Sequence, residues 1–95
     1  MSKPARTAHQ LRFEGELTIY AAQEAFQRVQ VALLDGGPVD LDLAELTELD
    51  SAGIQLLLLL KRELDNAGRK LRMVGLSQPA REVLKLLDLR SLFRS

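Results

Sequence analysis

Leu49-Asp50-Ser51-Ala52-Gly53-Ile54-Gln55, followed by the leucines Leu56 to Leu60, constrains this chain more than any other stretch. Leucine at consecutive positions cannot all lie on one seam of a helix, so the segment must be covered on nearly every side. Asp50 and Ser51 are residue types that start helices, because a short side-chain oxygen accepts from amides that the first turn leaves unpaired. The stretch therefore reads as a strand-to-helix junction with the Ser51 hydroxyl at the helix N-terminus. The helix is expected from about Ser51 to Asn66, where Ala67-Gly68 ends it. Lys61, Arg62, Glu63 and Asp65 put its last turns in water. Most of the leucine run is core, with some of Leu56, Leu59 or Gln55 left at an edge or interface.

The rest of the chain alternates strands and helices around this element. Residues 1–8 read as a loose tail and residues 9–95 as one domain. His9 to Phe13 alternates Leu11 and Phe13 against Gln10 and Arg12, the pattern of a half-buried strand. Glu14-Gly15-Glu16-Leu17 suggests a turn and a short second strand, giving an opening hairpin. Thr18 is the expected N-cap of an amphipathic helix whose apolar stripe is Ile19, Ala22, Phe26, Val29 and Leu33, stopped by Asp35-Gly36-Gly37-Pro38. Val39-Asp40-Leu41-Asp42-Leu43 has period two and reads as a strand. Ala44 to Leu49 is taken as a connection that keeps Leu46 and Leu49 available for packing.

Beyond the long helix, Lys70 to Val74 is a further strand and Gly75-Leu76-Ser77-Gln78-Pro79 a turn. Ser77 caps a third helix with the stripe Ala80, Val83, Leu84 and Leu87, and Leu89, Leu92 and Phe93 form a closing turn. The order implies a small α/β layer, one sheet with helices on at least one face.

Composition narrows the function. A chain of 95 residues holds one core. Thirteen basic and thirteen acidic side chains cancel, against the cationic face that nucleic-acid binding needs. The lack of cysteine excludes disulfides and thiolate metal sites. No apolar run approaches the ~20 residues that span a bilayer, and Met1 to Thr7 does not resemble a signal peptide. The expectation is a cytoplasmic protein without membrane insertion.

Catalysis finds little support. His9 is the lone histidine, and a single His on a strand is read as a solvated side chain rather than a general base. Asp40 and Asp42 share a strand face but lack a third metal ligand, so a solvated sheet face accounts for them. Gly36-Gly37 and Gly75 belong to no phosphate-binding motif and read as stops and turns. Neither a metal nor a cofactor is expected. Two readings of Asp50-Ser51-Ala52-Gly53 stay open. On the first, Asp50 or Ser51 serves only as the cap, with Gly53 admitting a close neighbour. Alternatively Ser51 is a phosphorylation site, where about −1.5 to −2 charges beside Asp50 would repel a partner docked there.

The wider pattern adds to this. Val39-Asp40-Leu41-Asp42-Leu43-Ala44, Leu46, and Leu49-Asp50-Ser51-Ala52-Gly53-Ile54 resemble the signature of STAS domains, the bacterial anti-sigma factor antagonists. The likeness continues through Ala67-Gly68-Arg69-Lys70-Leu71, Val74-Gly75-Leu76-Ser77 and Leu86-Leu87-Asp88-Leu89, and so covers residues 9–93. It implies a four- or five-stranded mixed sheet with helices mainly on one face. It also implies a non-enzymatic regulator that binds a serine kinase acting as anti-sigma factor, is phosphorylated by it at Ser51 and released, and is restored by a phosphatase. ATP would belong to the kinase. On this resemblance Asp50 fixes the junction, Gly53 allows close approach, Ile54 with Gln55 borders the docking surface, and Asp50, Ser51, Ala52, Gly53, Ile54 and Gln55 together bind the partner. Ala52 departs from the family's D-S-S-G. Similar domains serve chemotaxis-type signalling or act as accessory subunits of lipid-transport ABC complexes.

Overall fold

The computed structural model describes residues 8–89. The expected tail over residues 1–7 and the closing turn at Leu92 and Phe93 lie outside them. The elements in order are β1 (His9–Arg12), β2 (Gly15–Leu17), α1 (Ala22–Asp35), β3 (Val39–Leu43), β4 (Leu46–Leu49), α2 (Ser51–Asn66), β5 (Leu71–Leu76) and α3 (Gln78–Leu86). The strands form one α/β domain with two parallel ladders, β1-β3-β5 and β2-β4.

No opening hairpin exists among these residues. β1 pairs with β3, and β2 with β4, both parallel. The small ladder continues the large one past a bend, because Phe13 N donates to Asp42 O and Gly15 N to Glu45 O. Each long strand is thus broken once, and the two broken strands run side by side. β4 falls on the segment read as a connection. Its burial pattern, two exposed residues between two buried leucines, lacks the period-two alternation by which strands are recognised.

Leu11, Val39, Leu41, Leu43 and Leu71 form the covered face of the large ladder. α1 packs on β1 and on α2, and α2 reaches β4. From α2, Gly53, Ile54, Leu56, Leu57, Leu60 and Leu64 are buried, as the leucine run requires. α1 corrects the expected stripe. Its buried residues are Ala25, Val29 and Ala32, whereas Phe26 is 39% and Ile19 67% exposed. Small side chains carry this face, so a reading weighted by hydrophobic bulk points some way around the helix. In α3, Ala80 and Leu84 are buried, Val83 is half-buried, and Leu87, at the C-cap, is exposed.

Thr18 is not the cap of α1. That position belongs to Ala21, which has no side-chain cap bond. Thr18 is buried, accepts from Tyr20 N, donates to Glu16, and closes a turn through Ala21 N to its carbonyl. The other end of α1 is held from a distance. The Arg69 guanidinium donates to the carbonyls of Ala32 (2.9 Å) and Leu33 (2.7 Å) in the last turn of α1 and to that of Gly37 (2.6 Å) just beyond it, tying down the end of the helix.

The second face of the large ladder is polar but not simply solvated. Register aligns Gln10, Asp40 and Arg72 across three strands. Arg72 grips the Asp40 carboxylate at both oxygens, 3.0 Å each, and Gln10 adds a third bond at 3.0 Å. Asp40 is consequently buried, and the Arg72 bonds, then Gln10, hold its carboxyl below the usual range despite desolvation. Gly75 lies within β5 rather than in a turn. A Cβ there would sit 2.3 Å from Asp42 Oδ1, the oxygen that also accepts from Ala44 N.

Candidate functional site

The site is built where β2 and β4 end. Two parallel strands deliver their chains side by side, so the turn leading to α1 and the first turn of α2 emerge as neighbours. Open parallel sheets generally place their sites at this carboxyl end. Leu17 O accepts from Asp50 N at 3.3 Å, joining the two exits through their backbones.

Asp50 is the cap of α2, in extended conformation, with Oδ1 accepting from Gly53 N at 3.1 Å. Its other oxygen accepts from Ile19 N at 3.0 Å. One carboxylate therefore closes the helix and ties down the β2–α1 turn. The Ile19 amide foremost, then the Gly53 amide, hold the Asp50 carboxyl below the usual range. Gly53 is forced by the same arrangement. A Cβ on it would lie 2.1 Å from Leu17 O and 2.8 Å from a Leu49 methyl.

With Asp50 as the cap, Ser51 falls to the first helical position. Its side chain is exposed, and its hydroxyl has no hydrogen-bond partner among the described residues. Of the two capping residues the sequence left open, the structure uses Asp50.

The remaining candidates separate by burial. Ala52 is half-buried and Gln55 exposed, whereas Gly53 and Ile54, the latter 5% exposed, face the interior and support the surface from below. Ser51, Gln55, Leu58 and Arg62 recur at helical spacing on one face of α2. Leu58 and Leu59 are half-buried there, beside a shallow groove that Gln55, Arg62 and Asn66 also line.

Sequence reasoning missed Ile19 and Tyr20. They are 67% and 92% exposed, in the turn that Asp50 tethers next to Ser51. Both side chains stand open to solvent beside the polar Asp50 junction. The available signal was that Ile19 precedes the alanine-rich face of α1 and falls off its period.

His9 stands at the opposite end of the strands, in contact with the Asp35 carboxylate at the end of α1. It is remote from Ser51, and no Ser–His pair forms among the described residues. None of the described helices is long and apolar enough to cross a membrane.

Comparison with known proteins fits this geometry. No curated protein sequence matches the chain. Among solved structures, that of the anti-sigma factor antagonist SpoIIAA in its unphosphorylated form superposes with a TM-score of 0.73 at 23% identity, covering 93% of this chain and 80% of that one. At such identity the likeness establishes a shared fold. The family model described as "Mlab, STAS domain" matches residues 3–94. The chain is therefore a member of the STAS domain family.

Proposed function

We propose that this protein is a non-enzymatic, cytoplasmic signalling module of the anti-sigma factor antagonist kind. It binds a partner serine kinase or anti-sigma factor through the face around Ser51 and is released when Ser51 is phosphorylated. The free Ser51 hydroxyl carries this reading. Because Asp50 supplies the cap, a phosphoryl group can be added to and removed from Ser51 without costing the helix its first hydrogen bonds. The added charge would stand beside an ionised Asp50 and next to the apolar Ile19 and Tyr20. A partner surface matched to that patch would lose complementarity through repulsion and desolvation. Residues 9–95 serve as the binding unit, and neither cofactor nor metal takes part.

The test is a capture experiment from the native host with Ser51→Ala and Ser51→Asp as baits, read by mass spectrometry. A protein kinase retained by the first and lost by the second supports the switch. Identical partner sets and affinities reject it. A second reading rests on Ala52, which departs from the family's paired serines: a constitutive accessory subunit of an ABC complex or a chemotaxis-type assembly. It predicts an ATPase or signalling partner held equally by both variants.

A further inference from the structure

β5 is an edge of the three-stranded ladder, and among the described residues no strand pairs with its outer side. Adjacent residues of a strand direct their backbone groups to opposite sides. Lys70 O accepts from Val39 N, so Leu71 and Met73 turn their N–H and C=O groups outward. Between this edge and α3 runs an open groove of about 640 Å³. Met73, Val74, Leu76 and Leu84 give it apolar lining beside the polar backbone and cations, with Val74 48% exposed. Its rim carries Arg81 and Lys85, both exposed and neither in an ion pair among the described residues; none of the described lining residues is acidic, and the acid that stands against the lining is Asp42, whose carboxylate lies against Gly75.

We infer that this groove binds an extended acidic segment of a partner protein, added as a further strand along β5. Unpaired sheet edges accept strands in this way, main-chain bonds giving affinity and side-chain pockets specificity. The charge selects the occupant. Arg81 and Lys85 stand one helical turn apart, a rise of about 6 Å. Alternate residues of a strand are about 6.6–6.8 Å apart on one face. Carboxylates at positions n and n+2 of a bound strand therefore match the two cations, with an apolar side chain two residues away on Leu76 and Leu84. The chain beyond Leu89 is a poor occupant, because Arg90 and Arg94 make it basic. The inference does not depend on Ser51, since the two surfaces share no residue.

The probe is a capped, fluorescein-labelled peptide, Val-Thr-Glu-Thr-Glu-Thr, titrated with the full chain and read by anisotropy. Saturable binding is expected, weakened at least about tenfold when both glutamates become lysine or when alternate backbone amides are N-methylated. The exposed pair Arg81→Glu with Lys85→Glu should reverse the preference between acidic and basic peptides. Four results would overturn the inference: no saturable binding, equal binding of both peptides, binding insensitive to N-methylation, or binding only after residues 90–95 are deleted. A fifth result, competition of the peptide with self-association, would overturn it by assigning the edge to a second copy of the chain.

Discussion

Two helices of this molecule begin with a serine after a strand, and the two serines have different jobs. At α3, Ser77 is the cap, its Oγ accepting from Ala80 N at 3.2 Å. At α2, the cap is Asp50, and Ser51 follows it without a hydrogen-bond partner among the described residues. The third helical position differs as well. Ala80 has room for its methyl group in the core, whereas Gly53 stands against Leu17 O and tolerates no Cβ. Identical chemistry at the start of a helix is structural when the hydroxyl is the cap and available when a neighbour takes that place.

The largest effect that tests this contrast is Gly53→Ala. The methyl would meet a backbone oxygen that already holds Asp50 N, so the two chain exits must part. Overpacking costs typically 1–3 kcal/mol, and a loss of about 3 kcal/mol is expected here, read by chemical denaturation. A near-neutral result would show that the junction gives way easily and that its geometry does not position Ser51.

Asp50→Ala comes next. It strips acceptors from two amides, those of Gly53 and Ile19, where Ser77→Ala strips one. Amide exchange should accelerate at both positions, and melting should fall further than for Ser77→Ala. Acid titration sharpens the point. A carboxyl held below its ordinary range contributes its full stability above that range and loses it progressively as pH falls from the ordinary value to the lowered one, while its bonds within the folded protein break only at the lowered value. The Ile19 and Gly53 amide signals should therefore hold through the pH at which ordinary aspartates protonate, and move only below it. Movement at or above that pH would contradict the double tether.

Ser77→Ala should cost about 1 kcal/mol, in the usual span for a serine cap, lowering the melting temperature by roughly 4–8 °C for a domain of this size.

How much of this the sequence revealed depended on the range of each contact. The Ser77 cap, the period-two strand at Val39–Leu43 and the span of α2 are set by neighbours in sequence, and they were legible. The expectation that something packs closely on Gly53 was right, but the partner, Leu17 O, lies on another strand. Asp40 read as solvated because its partners Gln10 and Arg72 come from β1 and β5 and meet it only in register. The Arg69 bonds to the end of α1 and the Asp50 bond to Ile19 also close over long separations. Exposure of Ile19 and Tyr20 was hidden by α1 itself, whose buried face is largely alanine.

Ser51→Ala has the smallest expected effect on stability and the most to say about function. Removing an exposed hydroxyl with no hydrogen-bond partner among the described residues should change stability by no more than ~0.5 kcal/mol, well under the loss at Ser77. The two alanine variants, melted side by side, are therefore an internal control on the whole contrast. If Ser51→Ala melts as far down as Ser77→Ala, the hydroxyl is structural and modifying it would unfold the first turn of α2. If it melts with the parent protein, any change in partner binding by Ser51→Asp comes from charge at the surface. A helix N-terminus accommodates an anion rather than rejecting it, so Ser51→Asp should fold as well as the parent and, under the proposed switch, bind less of any partner that Ser51→Ala retains.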